Sequence, residues 1–149
     1  MNIKQATVKD IDVILPLFIK YREFYQADNI NVKASFDFIY QRLKQKESVI
    51  FFAENAHGCV TGFVQLYPLF SSVRINKVWL LNDLFVTPEA RKQGTGAALM
   101  ACVKTYATES GASYIMLETA TDNYTAQSLY ESQGYHKITK CYYYELPLK

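Results

Sequence analysis

The stretch Leu80–Met100, LLNDLFVTPEARKQGTGAALM, restricts the possible folds more than any other part of the chain. It reads as an apolar strand ending at Val86, a turn at Pro88, a short basic glycine loop and an alanine-rich helix. Pro88 has no N–H and cannot continue a central ladder. Arg91, Gly94 and Gly96 form R-x-x-G-x-G directly before the helical run Ala97–Tyr106. A helix start carries unpaired N–H groups and positive dipole potential, so it attracts anions. Glycines let backbone approach a phosphate closely, and Arg91 with Lys92 adds charge. The loop suits a pyrophosphate.

Two common phosphate readers fit poorly. No Lys follows a glycine as a P-loop requires. Gly94-Thr95-Gly96 opens like a dinucleotide fingerprint, but Leu99 stands where its third glycine or alanine belongs. Glu118, at a suitable distance for a ribose contact, is all that supports that reading. The longer run Val86-x-Pro88-x-x-Arg91-x-x-Gly94-x-Gly96 resembles the acetyl-CoA-binding signature of the GNAT N-acetyltransferase superfamily. A second signature follows in the family's order and approximate spacing: Asn123-x-x-Ala126-x-x-x-Tyr130, then Glu131-x-x-Gly134-Tyr135.

The chain has 149 residues, enough for one domain, residues 1–149, with a real core. It is 50% hydrophobic and 20% charged, which excludes a disordered chain. A net charge of +2 argues for neither nucleic acid nor membrane partners. The N-terminus MNIKQATVKD lacks a signal-peptide core, and cytoplasm is the expectation. Cys59, Cys102 and Cys141 are scattered, so reduced thiols are expected rather than a metal site or disulfide framework.

Along the chain, Ile3–Ala6 is a candidate edge strand, and Thr7 with Asp10 caps a helix carrying Ile11, Leu15, Phe18, Ile19, Arg22 and Tyr25 at helical spacing. Pro16 should break or bend it. Ser35 can cap a second helix, Phe36–Lys46. Val49–Ala53 reads as a strand buried on both faces, with Cys59–Tyr67 as hairpin partner, stopped by Pro68. Then follow a strand Ile75–Val86, a helix Ala97–Ser110, a strand Tyr114–Thr119 and a helix Thr125–Gln133. Strands Tyr135–Thr139 and Cys141–Leu146 close the chain. This order matches the α/β architecture that the resemblance implies: a mixed, mostly antiparallel sheet of about seven strands flanked by about four helices. The strands ending at Val86 and Thr119 should run parallel and splay apart around the ligand.

The resemblance also implies roles. The loop Arg91, Lys92, Gln93, Gly94, Thr95, Gly96 and Ala97 holds the pyrophosphate, and Leu84, Phe85 and Val86 offer backbone groups to the pantetheine arm. Ala126 belongs to the second signature. Tyr130 becomes the general acid that protonates the departing thiolate; its alternative is a packing role. Asn123 contacts the CoA arm, caps its helix, or does both. Glu118 sits where some ribosomal-protein alanine N-acetyltransferases keep a catalytic glutamate acting through water; otherwise it bonds nearby backbone or Thr119. Asn82-Asp83-Leu84-Phe85-Val86 resembles the Glu-Asp-Phe-Phe-Val of spermidine/spermine N-acetyltransferase, with one acid replaced by Asn82. Asp83 then draws a cationic amine to the cleft mouth, unless a strand bulge satisfies it. Glu23 either reaches that mouth or stays a solvated acid. His57 and His136 lack partners for a nucleophilic triad.

The expected function is direct transfer of acetyl from acetyl-CoA, as cosubstrate without a metal, to a small-molecule primary amine such as a polyamine or amino acid. Acetylation of a protein N-terminus or lysine is the alternative, and a non-catalytic acetyl-CoA-binding module the second. The aromatic Cys141–Leu146 strand, if at a sheet edge, invites pairing and a homodimer.

Overall fold

The computed structural model describes residues 1–149 and divides into two compact units, Met1–Glu118 and Thr119–Lys149. The first holds one five-stranded sheet in the order β1 to β5: β1 (Asn2–Gln5), β2 (Val49–Glu54), β3 (Val60–Ser71), β4 (Asn76–Val86) and β5 (Ile115–Met116). The first four strands are antiparallel neighbours, and β5 runs parallel to β4. The unit also contains three helices, α1 (Ile11–Phe24), α2 (Val32–Lys44) and α3 (Thr95–Glu109).

Residue alternation on β2 explains the two cores. Ile50 and Phe52 join Ile14, Leu17 and Phe18 of α1 and Ile39 of α2 in one apolar cluster. Phe51, on the opposite face, meets Tyr106 of α3 with ring centroids 5.3 Å apart. A strand covered on both faces must be apolar throughout, and Ile50–Ala53 are all buried.

Several local expectations change. Helix α1 runs unbroken through Pro16, because burial of Ile14, Leu17 and Phe18 outweighs one lost helix bond. The cap of α2 is Asn31, whose Oδ1 accepts from Ala34 N–H at 2.9 Å. Ser35 lies inside the helix, its hydroxyl turned back to the Asn31 carbonyl at 2.8 Å. Pro68 does not stop β3. The β2 ladder ends at Val49 opposite Leu66, so beyond that point β3 has an open edge where a missing N–H costs little.

Gly62 is the tightest backbone site of this unit. A Cβ there would stand 2.9 Å from the Phe85 carbonyl and 3.2 Å from both Leu99 Cδ1 and Thr95 Cγ2. Strand β4 and the start of α3 thus approach β3 only because residue 62 has no side chain. Gly62→Ala is expected to destabilise by about 1–3 kcal/mol, the usual range for overpacking. Chemical denaturation monitored by circular dichroism checks this, and an unchanged midpoint would contradict it.

The second unit contains α4 (Tyr124–Ser132) and no strand. Gly134, at φ +92°, ends the helix, and Tyr135 N–H returns to the Tyr130 carbonyl at 3.1 Å. The strands expected at 135–139 and 141–146 do not form, so the sheet has five strands rather than about seven. Tyr142, Tyr143 and Tyr144 are 88%, 73% and 87% exposed. Alternating aromatics give β propensity, but a strand also needs a ladder and a buried face, and this segment has neither.

Candidate active site

The site begins with a slip in the sheet. Gln65 faces Asp83 while Leu66 faces Leu81, so Asn82 is an extra residue on β4. Such a bulge reverses the alternation of faces. Trp79, before it, meets Tyr106 of α3 at 5.4 Å between centroids, whereas Phe85, beyond it, lies in the cluster with α1. Asp83 turns with Phe85 toward α1 and is only 3% exposed.

Three donors surround its carboxylate. Gln65 Nε2 donates to Oδ2, Asn82 Nδ2 donates to Oδ1 at 2.8 Å, and the Tyr21 hydroxyl stands as the third. Burial pushes the Asp83 carboxyl above the ordinary carboxylate range, against the pull of those donors. Burial, with the Asp83 charge nearby, also raises Tyr21 and Tyr67 above ordinary phenols, so both remain protonated. Gln65 Oε1 is buried without a partner.

These groups border a cleft of about 290 Å³ with aromatic walls from Phe18, Tyr21, Tyr25, Phe38 and Tyr67, and with Arg22 also lining it. Residues 18, 21 and 22 of α1 and its C-cap Tyr25 share one face by helical spacing. Glu23 lies off that face, is exposed and does not line the cleft. Asp83 lies inside rather than at the mouth, because the bulge turns it inward. The sequence does not mark Tyr21, Arg22 and Tyr67 as site residues, although helical spacing already sets Phe18, Arg22 and Tyr25 on one face.

A second feature is the open side of β4. Its pairing with β5 covers only Trp79–Ile115 and Leu80–Met116. From Leu81 to Val86, including Leu84 and Phe85, no strand pairs on that side. Strand β5 is shorter than the expected Tyr114–Thr119 and ends where its pairing ends, so the open side of β4 comes from the absence of a neighbouring strand there rather than from two strands splaying apart. Glu118 lies two residues past β5, with an exposed carboxylate that accepts no bond from backbone or Thr119.

At the end of β4, Pro88–Ala90 form a 3-10 turn and Gly94, at φ +83°, precedes α3. Only glycine adopts that conformation without strain. The first backbone bond of the helix joins Ala98 N–H to the Gly94 carbonyl at 2.9 Å. The N–H groups of Thr95, Gly96 and Ala97 are therefore open, and no capping side chain covers them. Arg91 braces the loop: its Nε donates to the Val86 carbonyl at 3.0 Å, and its guanidinium stands 5.9 Å from the Phe85 ring centroid. Gln93 Nε2 donates to the Glu89 carbonyl at 2.7 Å, and the Thr95 side chain is buried. Of the loop side chains, Lys92 is exposed and unengaged. The anion-binding capacity thus lies mainly in backbone.

In the second unit, Asn123 caps α4, its Oδ1 accepting from Ala126 N–H at 3.2 Å while its Nδ2 remains open. Tyr130 lies one residue before Glu131 on that helix, its ring 6.2 Å from that of Tyr135.

The Acetyltransferase (GNAT) family model matches residues 16–135. The chain belongs to the GNAT acetyltransferase family. Its sequence is 44% identical over 144 residues to the uncharacterized N-acetyltransferase YhfO of Bacillus subtilis (strain 168), covering 97% of this chain and 95% of that one. A probable acetyltransferase of Haemophilus influenzae is 32% identical over 149 residues, covering 99% of both. The crystal structure of a probable acetyltransferase superposes with a TM-score of 0.94 at 41% identity, covering 100% of this chain and 99% of the other. This GNAT protein is thus an acetyltransferase of a family whose acetyl donor is acetyl-CoA. No helix is long and apolar enough to cross a membrane.

Proposed function

We propose that this enzyme moves acetyl from acetyl-CoA directly to the primary amine of a compact molecule, with residues 1–149 acting as one domain. The observation that carries the reading is the cleft of about 290 Å³ around Asp83, small beside clefts that hold drug-sized ligands. Aromatic walls shed water from an apolar body, and a buried carboxylate suits one cationic head. A long polycation or a folded protein finds little room.

The residues present fit the donor. Open N–H groups at Thr95, Gly96 and Ala97 match a pyrophosphate, and the unpaired side of β4 at Leu84–Val86 matches an amide-bearing arm. Asn123, whose Nδ2 makes no hydrogen bond, is assigned to the donor on the second signature. Asp83 collects and orients the protonated amine. A water held by Glu118 passes two protons of the ammonium on, by way of that carboxylate, to solvent as the nitrogen lone pair forms the amide bond. The thioester C–S bond breaks, the sulfur keeps the bonding pair, and Tyr130 gives it a proton. Amine and thioester become amide and free thiol, and Tyr130 regains its proton from solvent.

Release of free CoA across a panel of polyamines, amino acids, aminoglycosides and a lysine peptide tests the acceptor class. Turnover is expected with compact amines; turnover confined to the peptide or the aminoglycosides would overturn the reading.

Asp83→Asn should raise the amine KM and leave acetyl-CoA affinity intact. The variant can fold, because the Gln65 amide can turn and offer its unpartnered oxygen to the new NH₂. It also isolates the titration of Asp83. A carboxyl whose folded pKa is raised favours folding fully below its unfolded value near 3.8, and this is lost as pH rises through the folded value. The melting temperature of wild type minus variant should therefore decrease as pH rises from about 4 to 8. A flat difference together with an unmoved amine KM would make Asp83 a purely structural residue.

The exposed tyrosines Tyr142, Tyr143 and Tyr144 are the basis for proposing a homodimer. Light scattering should give twice the mass of one chain, and a monomer mass at all concentrations would refute it.

A further inference from the structure

We propose that the acceptor is a compact zwitterion, an amine and a carboxylate on one apolar or aromatic body, and that Arg22 reads the carboxylate. The inference rests on the acceptor reading of the Asp83 cleft and narrows it. Arg22 lines the same cleft as Asp83. Its Nη1 donates to Ser35 Oγ at 3.0 Å and its Nη2 to the Asp28 carbonyl at 3.4 Å. Both acceptors are neutral. The ion pairs of the chain join Lys4 to Glu54, Lys33 to Asp37 and Arg42 to Glu47, and none involves Arg22.

A half-buried guanidinium without a counter-charge has five donors and here makes two bonds, one of them long, so most of its capacity is open. It is also held in place. Ser35 is 2% exposed and fixed by its own bond to the Asn31 carbonyl at 2.8 Å, so Arg22 meets a rigid anchor. The cleft therefore presents one cation and one buried anion between aromatic walls. That pattern complements a zwitterion and disfavours the alternatives. A second ammonium, as in a polyamine, meets Arg22, and a second carboxylate meets Asp83. A guanidinium pairs a carboxylate through two parallel bonds, which fixes the molecule's direction and leaves its amine toward Asp83.

The test uses wild-type protein and matched triplets: each amino acid, its amide, and the amine lacking the carboxylate, such as phenylalanine, phenylalaninamide and phenethylamine. For the best triplet, kcat/KM should favour the free acid by about 10- to 100-fold, the scale of a charge-assisted bond gained or left unmade. Arg22→Gln should collapse that ratio toward one, and Arg22→Lys, a point charge without the fork, should fall between. Acetyl-CoA affinity reports whether each variant is folded, and the wild-type ratio stands even if one is not. Equal kcat/KM for acid and decarboxylated amine, or a preference that survives in Arg22→Gln, would overturn the inference while leaving the amine reading intact. If no amine in any triplet or in the wider panel is acetylated, both fall together.

Discussion

Tyr130→Phe is expected to lower turnover at saturating substrates by about 100-fold or more, the usual scale of general acid–base catalysis. A phenol titrating near pH 10 in water can protonate a departing thiolate, and phenylalanine cannot. The ring and its place on α4 are retained, including the 6.2 Å approach to Tyr135, so the variant should remain folded. Tyr135 supplies the control. Burial and the neighbouring Tyr130 push its phenol up to about 12, and its hydroxyl has no partner. Tyr135→Phe should therefore keep turnover and lose no stability. Equal turnover in wild type and Tyr130→Phe would make residue 130 a packing residue.

Gly94→Val and Gly96→Val should each reduce acetyl-CoA affinity by about 100-fold or more, since a valine branch stands over N–H groups a pyrophosphate must reach. At Gly94 the φ of +83° adds strain of about 1–2 kcal/mol for any residue bearing a Cβ. Gly58→Val separates the two effects. It carries similar strain at φ +77° with nothing within 4 Å of the added Cβ, in the turn between β2 and β3. It should lose stability and keep affinity. Calorimetry showing unchanged affinity in both loop variants would mean that this loop is not the anion site.

The β4–loop–α3 segment was legible because its chemistry is local. Pro88 ends a strand, Gly94 supplies a left-handed residue and the alanine-rich run propagates a helix, all within one short stretch. What the sequence could not show depends on partners. Asn82 looks like any strand residue until the register of β3 makes it a bulge, and only then do Trp79 and Phe85, six residues apart, face opposite sides. Asp83 was recognisable as an acid at a strand end, but its inward turn and its contact with Tyr21 depend on that slip. Pro68 reads as a terminator unless the end of β2 is known. Tyr142–Glu145 has strand propensity and no ladder, which propensity alone cannot report. Charge alone points to Glu23, whereas the helical face that lines the cleft carries its neighbour Arg22.

The most direct test of acetyl transfer to a compact amine is mass spectrometry of one reaction mixture containing the protein, acetyl-CoA and the best amine of the panel. Direct transfer gives one acetylated amine for each CoA released and an unchanged protein mass. CoA release without acetylated amine, or an acetyl group retained on the protein during turnover, would contradict it.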